Sequence, residues 1–171
     1  MAKIFIIQPS LAAYRKDFYC RVAAAWTDAF ELRYAGNEPA ASADALGFAA
    51  VCCGPLRRLP LGLGWQPGIL STPFVKGDII ILSGNPRYLS TLILAVKARL
   101  RGVRVVWWGH YWSSTSRKWR MVLRIMLMRL AHGVVFYTDH EVDEYRAGTG
   151  AHDTRPIVGL NNGINTSSIQ V

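Results

Sequence analysis

His110 stands where a β-branched and aromatic run, VVWWG from Val105, gives way to polar sequence. A neutral imidazole there can hydrogen-bond a hydroxyl and orient it for reaction, or it can be a rim histidine bonded only to backbone. Three other stretches follow apolar runs in the same way: Gln8 to Ser10, Ser83 to Asn85 and Thr138 to His140. Backbone amides around Gly84 and Asn85 could hold a phosphate or hydroxyl. Asn85 as a helix cap and Gly84 as a turn residue explain the pair equally well. Thr138 and Glu141 have capping-box spacing, which accounts for Thr138 without a ligand. Arg15 is either a contact for an anionic ligand or a solvated charge. Trp112, beyond the run, could meet a ligand, whereas Trp107 and Trp108 alternate and are expected in two core layers.

Apolar patterning supplies the frame for these residues. KIFII, FELRYA, GDIIILSG, VRVVWW, GVVFYT and RPIVGL read as strands, and AAVCCG as a further one. Helical patterns lie between them, from Tyr14 to Ala29, after Asn85-Pro86, over 115–131 and from Thr138 to about Gly148. In the second of these, Leu89, Leu92, Ile93, Val96 and Leu100 share one face, which is expected to pack on the sheet. GPLRRLPLGLGWQPG is broken by Pro and Gly and reads as an irregular surface excursion. With no strand before Gly62 and Gly64 and no helix after them, a dinucleotide fingerprint is rejected. Alternating strands and helices imply an α/β fold, a doubly wound, mainly parallel Rossmann-like sheet, with ligands beyond the carboxyl ends of its strands.

At 171 residues and 51% hydrophobic composition the chain is of single-domain size, with 1–165 as the domain and 166–171 as the start of a hinge or tail. Its formal charge of +9 favours an anionic neighbour. Three cysteines without CxxC spacing argue against a disulfide framework or zinc site. The N-terminal run is too short for a signal peptide, and no stretch has the length of a membrane span. The expectation is therefore a cytoplasmic protein, soluble or peripheral.

"GNPRYLSTLILAVKARLRGVRVVWWGHYW", "RKWRMVLRIMLMRLAHGVVFYT", "NNGIN" and the early "YRKDFY" together resemble the amino-terminal half of family 4 glycosyltransferases. The resemblance implies a GT-B enzyme of two Rossmann-like halves that transfers sugar with retention and without an essential metal or further cofactor. It implies that this half holds the acceptor and that a second half, in the same or another chain, binds most of the nucleotide-sugar. His110 matches a histidine that reaches the transferred sugar. On this reading Arg15, Gly84, Asn85 and Trp112 contact the acceptor, and Ser10, Thr138, Asn162 and Gly163 line the cleft rim. Asn165 stands where the family often has an aspartate.

In the third helix Trp119, Val122, Leu123, Met126, Leu127 and Leu130 follow the 3.6-residue period and are expected against the sheet. Met121, Ile125 and Met128 would then form an outer ridge between Arg117, Arg120 and Arg124 on one side and Lys118 and Arg129 on the other. An apolar ridge between cations suits an anionic membrane surface. The leading reading is thus the acceptor half of an enzyme acting on a lipid-linked or cell-surface glycan at the inner membrane face. A membrane-docked subunit of a two-chain transferase is the alternative. A basic binding module is another, although no nucleic-acid-binding motif is present and no nucleic-acid partner is expected.

Overall fold

The computed structural model describes residues 2–26, 29–37, 46–112 and 118–161, and the side chains of all of these except 118–120. Nine strands and four α-helices are described: β1 Ile4–Gln8, α1 Lys16–Ala25, β2 Phe30–Tyr34, β3 Ala50–Cys52, β4 Arg57–Leu59, β5 Leu63–Trp65, β6 Ile79–Ser83, α2 Leu89–Leu100, β7 Arg104–Trp108, α3 Lys118–Met128, β8 Gly133–Phe136, α4 Asp139–Ala147 and β9 Ile157–Gly159. Seven strands form one sheet in the order β3-β2-β1-β6-β7-β8-β9, every pair parallel. This is a doubly wound, Rossmann-like α/β sheet. Its order reverses between β1 and β6, so the crossovers run in opposite directions and cover opposite faces.

Strands buried on both sides read as continuous apolar runs, which is why their placement follows from sequence. Trp107 packs with Phe5, Ile80, Leu82 and Phe136 on the face carrying α2, α3 and α4. Trp108 packs with Ile6, Tyr19 and Leu32 on the face carrying α1. The segment expected to be irregular contains an antiparallel hairpin, β4 with β5, closed by Pro60–Gly62. Leu61 and Gly62 take positive φ at its tip, where the turn needs them; the frequent Pro and Gly that disguised the strands in the sequence are the turn chemistry of a tight hairpin.

Two helix faces differ from those expected, although Leu92 of α2 and Leu127 of α3 do pack on the core as expected. In α2 the sheet receives Thr91, Leu94, Ala95 and Ala98, while Ile93, Val96 and Leu100 are exposed. Small side chains allow the helix to approach a sheet already filled by large residues, so the bulkier stripe is left outside. In α3 Met128 is 0% exposed, with Met121 and Ile125 packed on the same cluster, while Val122, Leu123 and Met126 face out. The outer ridge expected of Met121, Ile125 and Met128 is therefore corrected: these residues are core. The helix is apolar on two sides, and periodicity alone does not choose between them. Polar contacts help fix the choice. Arg155 donates through Nη1 to the carbonyls of Met128 and Ala131, at 2.6 and 2.9 Å, and is held by Asp153.

Two outcomes follow for stability. Met128→Asp should cost about 3 kcal/mol or more, because it leaves a charge in the core, whereas Met126→Asp should change stability by about 0.5 kcal/mol or less; urea denaturation of both variants measures the difference. Hydrogen bonds from Arg155, joined by one from Tyr145, hold the Asp153 carboxyl well below the usual carboxylate range although burial works the other way. With the folded value below the unfolded value of about 3.9, this stabilisation is complete above that pH range and is lost on acidification. Thermal melting should therefore fall below about pH 5, and Arg155→Ala should flatten that fall while lowering the plateau.

Candidate functional site

The carboxyl ends of β1, β6, β7 and β8 meet along one edge of the sheet, and the polar residues gather there. At the switch point between β1 and β6 lies a crevice with about 260 Å³ of empty space, counting its mouth. Gln8, Pro9 and Ser83 from the strand ends, Gln66 beyond the hairpin, and Ser90 and Thr91 from α2 line it. The Ser90 hydroxyl accepts the Gln66 backbone N–H at 2.7 Å, which fixes the hairpin segment as a wall of the crevice.

Gln8 links the crevice to a cation. Its Oε1 accepts Arg15 Nη1 at 3.0 Å, while Arg15 Nη2 donates to the Tyr137 hydroxyl at 3.0 Å. The guanidinium also lies over the Trp108 and Tyr137 rings, 4.8 and 5.5 Å from their centroids. Burial works against the charged form, but the Tyr137 hydrogen bond and neighbouring phenols hold the pKa above the ordinary arginine value. Among the described residues no carboxylate pairs with Arg15. This is a fixed cation facing the edge, a geometry suited to phosphate or carboxylate.

His110 stacks on the other side of this cluster, its ring 4.2 Å from that of Tyr137. The side chain is 62% exposed, and its Nδ1 lies 2.9 Å from Glu141 Oε1. The same carboxylate accepts the backbone N–H groups of Tyr111, at 3.2 Å, and Tyr137, at 3.0 Å. Backbone amides only donate, so the carboxylate is the common acceptor and His110 carries its shared proton on Nδ1. In the neutral ring Nε2 is then an exposed acceptor. A hydroxyl that meets the neutral ring at Nε2 would therefore donate to it rather than accept from it. Arg124 adds a second cation, donating to the Tyr111 carbonyl at 3.3 Å. Its pKa lies below the ordinary arginine value because of burial, with Glu141 opposing and Arg87 adding to the shift.

The other expected site residues are distributed as follows. The Cβ of an alanine at Gly84 would lie 2.5 Å from Trp107 Nε1 and 2.9 Å from Gly109 Cα. Gly84 thus lets the ends of β6 and β7 approach closely just before the chain reaches His110. Asn85 does not cap α2, which begins at Leu89; its Oδ1 accepts the Arg87 N–H in a turn before the helix. Trp112 is half-exposed and already donates its indole N–H to Glu144 at 2.7 Å. Ser10 is exposed beyond β1. Thr138 caps α4 by accepting the Glu141 N–H at 3.2 Å. The Glu141 side chain does not return to Thr138, so only half of the capping box forms. Arg124 turns inward toward Tyr111 rather than outward as a membrane contact, and Arg129 is exposed. Arg117, Asn162 and Gly163, and the side chains of Lys118 and Arg120, lie outside the described residues, as does the hinge segment 166–171.

Sequence reasoning missed Glu141, because helix capping explained it, and Tyr137. Gln8 was visible as a polar residue ending an apolar strand. Among the described residues no group of three or more His, Cys, Asp or Glu could hold a metal ion, and no helix is long and apolar enough to cross a membrane.

No protein-family model and no curated protein sequence matches the chain. Among solved structures, the crystal structure of Anabaena Alr3699/HepE in complex with UDP is similar, with a TM-score of 0.57 at 12% identity over 93% of this chain. The aligned region is 44% of that protein, so the chain spans less than half its length. At this identity the likeness is one of fold.

The Glu141 contacts lead to a direct test. Long-range ¹H–¹⁵N correlation spectra should show His110 with its proton on Nδ1 when the ring is neutral. Glu141→Gln should shift it toward the Nε2–H tautomer and cost roughly 1–3 kcal/mol, because an amide NH₂ meets N–H donors. An unchanged tautomer would mean that Glu141 does not orient the ring.

Proposed function

We propose that the chain is the acceptor-binding part of a GT-B glycosyltransferase that moves a sugar from a nucleotide-sugar to a lipid-linked or cell-surface glycan at the cytoplasmic membrane face. The observation that carries this reading is the oriented His110, its Nε2 open at the carboxyl edge beside a fixed Arg15 that pairs with no carboxylate among the described residues. The shared fold with a UDP-bound protein supports it, as does the sequence resemblance to family 4 enzymes. A second part, in the same or another chain, supplies most of the nucleotide-sugar contacts. Within this half, Gln8 and the crevice take acceptor hydroxyls, Arg15 takes an anionic group of the acceptor, and His110 Nε2 accepts a hydrogen bond from the reacting sugar.

Retention of configuration is the stereochemistry the resemblance supports. The Glu141–His110 pair favours a second reading, because an Nε2 lone pair backed by a carboxylate can remove a proton from the acceptor hydroxyl, and in-line attack then inverts the anomeric centre. Transfer from an α-linked nucleotide-sugar by the native enzyme distinguishes them: an α-linked product in the proton NMR spectrum means retention, a β-linked one inversion. In either case His110→Ala should lower kcat/KM by about 10²–10⁴ while leaving the thermal melt unchanged. Wild-type turnover by that variant would remove His110 from the chemistry.

A further inference from the structure

Helices α2 and α3 lie on the same face of the sheet, and both keep an apolar stripe away from it. On α2 the outer stripe is Ile93, Val96 and Leu100, the last 83% exposed; on α3 it is Val122, Leu123 and Met126, exposed by 56, 40 and 59%. The stripes are neighbours at their carboxyl ends, where Arg99, at the end of α2, donates to the carbonyl of Leu130 just past α3 at 2.7 Å. Isolated exposed aliphatics are ordinary, but six on two helices of one layer, linked at their carboxyl ends, form a group.

The charges around this surface indicate what covers it. From Ile79 to Thr138 there is no Asp or Glu, yet half of the chain's 20 Lys and Arg fall in that span. Arg101, Arg104 and Arg129 are exposed near the carboxyl ends of the two helices, and Lys118 and Arg120 belong to the first turn of α3. Acid returns only with α4, which carries Asp139, Glu141, Asp143 and Glu144. An aliphatic centre on a stretch of chain that carries cations and lacks Asp and Glu matches the layering of a phospholipid surface, acyl chains beneath a plane of phosphates. The surface is also separate from the site. His110 and Arg15 lie at the carboxyl ends of the strands, whereas these side chains project from the flank of the helix layer. A domain closing over the His110 edge leaves the flank open.

We propose that the α2–α3 flank docks on an anionic phospholipid bilayer. The proposal rests on the membrane-face part of the reading above and not on sugar transfer, since docking needs neither donor nor acceptor. It also replaces the contact surface expected from sequence: the lipid-facing residues are Ile93, Val96, Leu100, Val122, Leu123 and Met126.

The test is flotation of the native polypeptide with vesicles of equimolar phosphatidylglycerol and phosphatidylcholine, and with phosphatidylcholine alone. The protein should float with the anionic vesicles and, at raised salt, release from them. Val96→Glu with Met126→Glu should weaken binding at least about tenfold, and Arg104→Glu with Arg129→Glu comparably, each with an unchanged thermal melt. Turnover of a soluble acceptor analogue by the first variant should stay at the wild-type level, so loss of docking and loss of transfer are read separately. Wild-type protein that does not float, or variants that float as well as wild type, would overturn the proposal. So would a dimer that Val96→Glu with Met126→Glu converts to monomer without altering vesicle binding, which would make the flank a self-association face.

Discussion

The site depends on one carboxylate. Glu141 is buried where the chain leaves β7 and β8, and its two oxygens collect the backbone N–H groups of Tyr111 and Tyr137 and the ring nitrogen of His110. Each buried amide left without this acceptor would cost roughly 1–3 kcal/mol, so the two loops are held to one geometry. The consequences extend outward by contact. His110 is fixed in tautomer and stacks on Tyr137, Tyr137 with Trp108 encloses the Arg15 guanidinium, and Arg15 reaches Gln8 at the crevice. Capping is partly sacrificed for this arrangement. Thr138 bonds the Glu141 amide, but the Glu141 side chain leaves the helix end to serve the loops. A local rule broken for the sake of a site is what functional positions commonly show.

Two closely approaching glycines provide the other half of the positioning. Gly84 and Gly109 bring the ends of β6 and β7 closer than any side chain allows, and Gly84 donates its N–H to the Trp108 carbonyl at 2.6 Å. His110 therefore leaves a strand whose end is pinned from one side by β6 and from the other by Glu141. A residue so exposed yet so constrained needs little reorganisation to meet a ligand.

Much of this frame is legible in the sequence, because a parallel strand covered on both faces tends to be a short apolar run. The strand ends, and with them His110, Gln8 and Ser83, follow directly. What was hidden had a competing explanation. Glu141 was accounted for by its spacing from Thr138, and the β4–β5 hairpin by its Pro and Gly. The helix faces were hidden by the chain's own composition. Large aliphatics dominate any periodicity count, whereas α2 packs through Thr91, Ala95 and Ala98, whose small volume lets it sit close to the sheet.

Helix α3 connects these themes, because its rotation decides two properties at once. Turned by half a revolution, it would bury a comparable set of aliphatics, so hydrophobic burial discriminates weakly between the two settings. The polar contacts discriminate strongly. Arg124 reaches the Tyr111 carbonyl beside Glu141, and Arg155, braced by Asp153 and Tyr145, takes the carbonyls of Met128 and Ala131. Reversing the helix would strand a half-buried guanidinium and remove the acceptors of another, a larger cost than any difference in aliphatic packing. Those contacts that turn Arg124 toward the site also turn Val122 and Met126 away from it. The apolar flank is thus a consequence of building the site, and its exposure is fixed by the interactions that hold His110's neighbours in place.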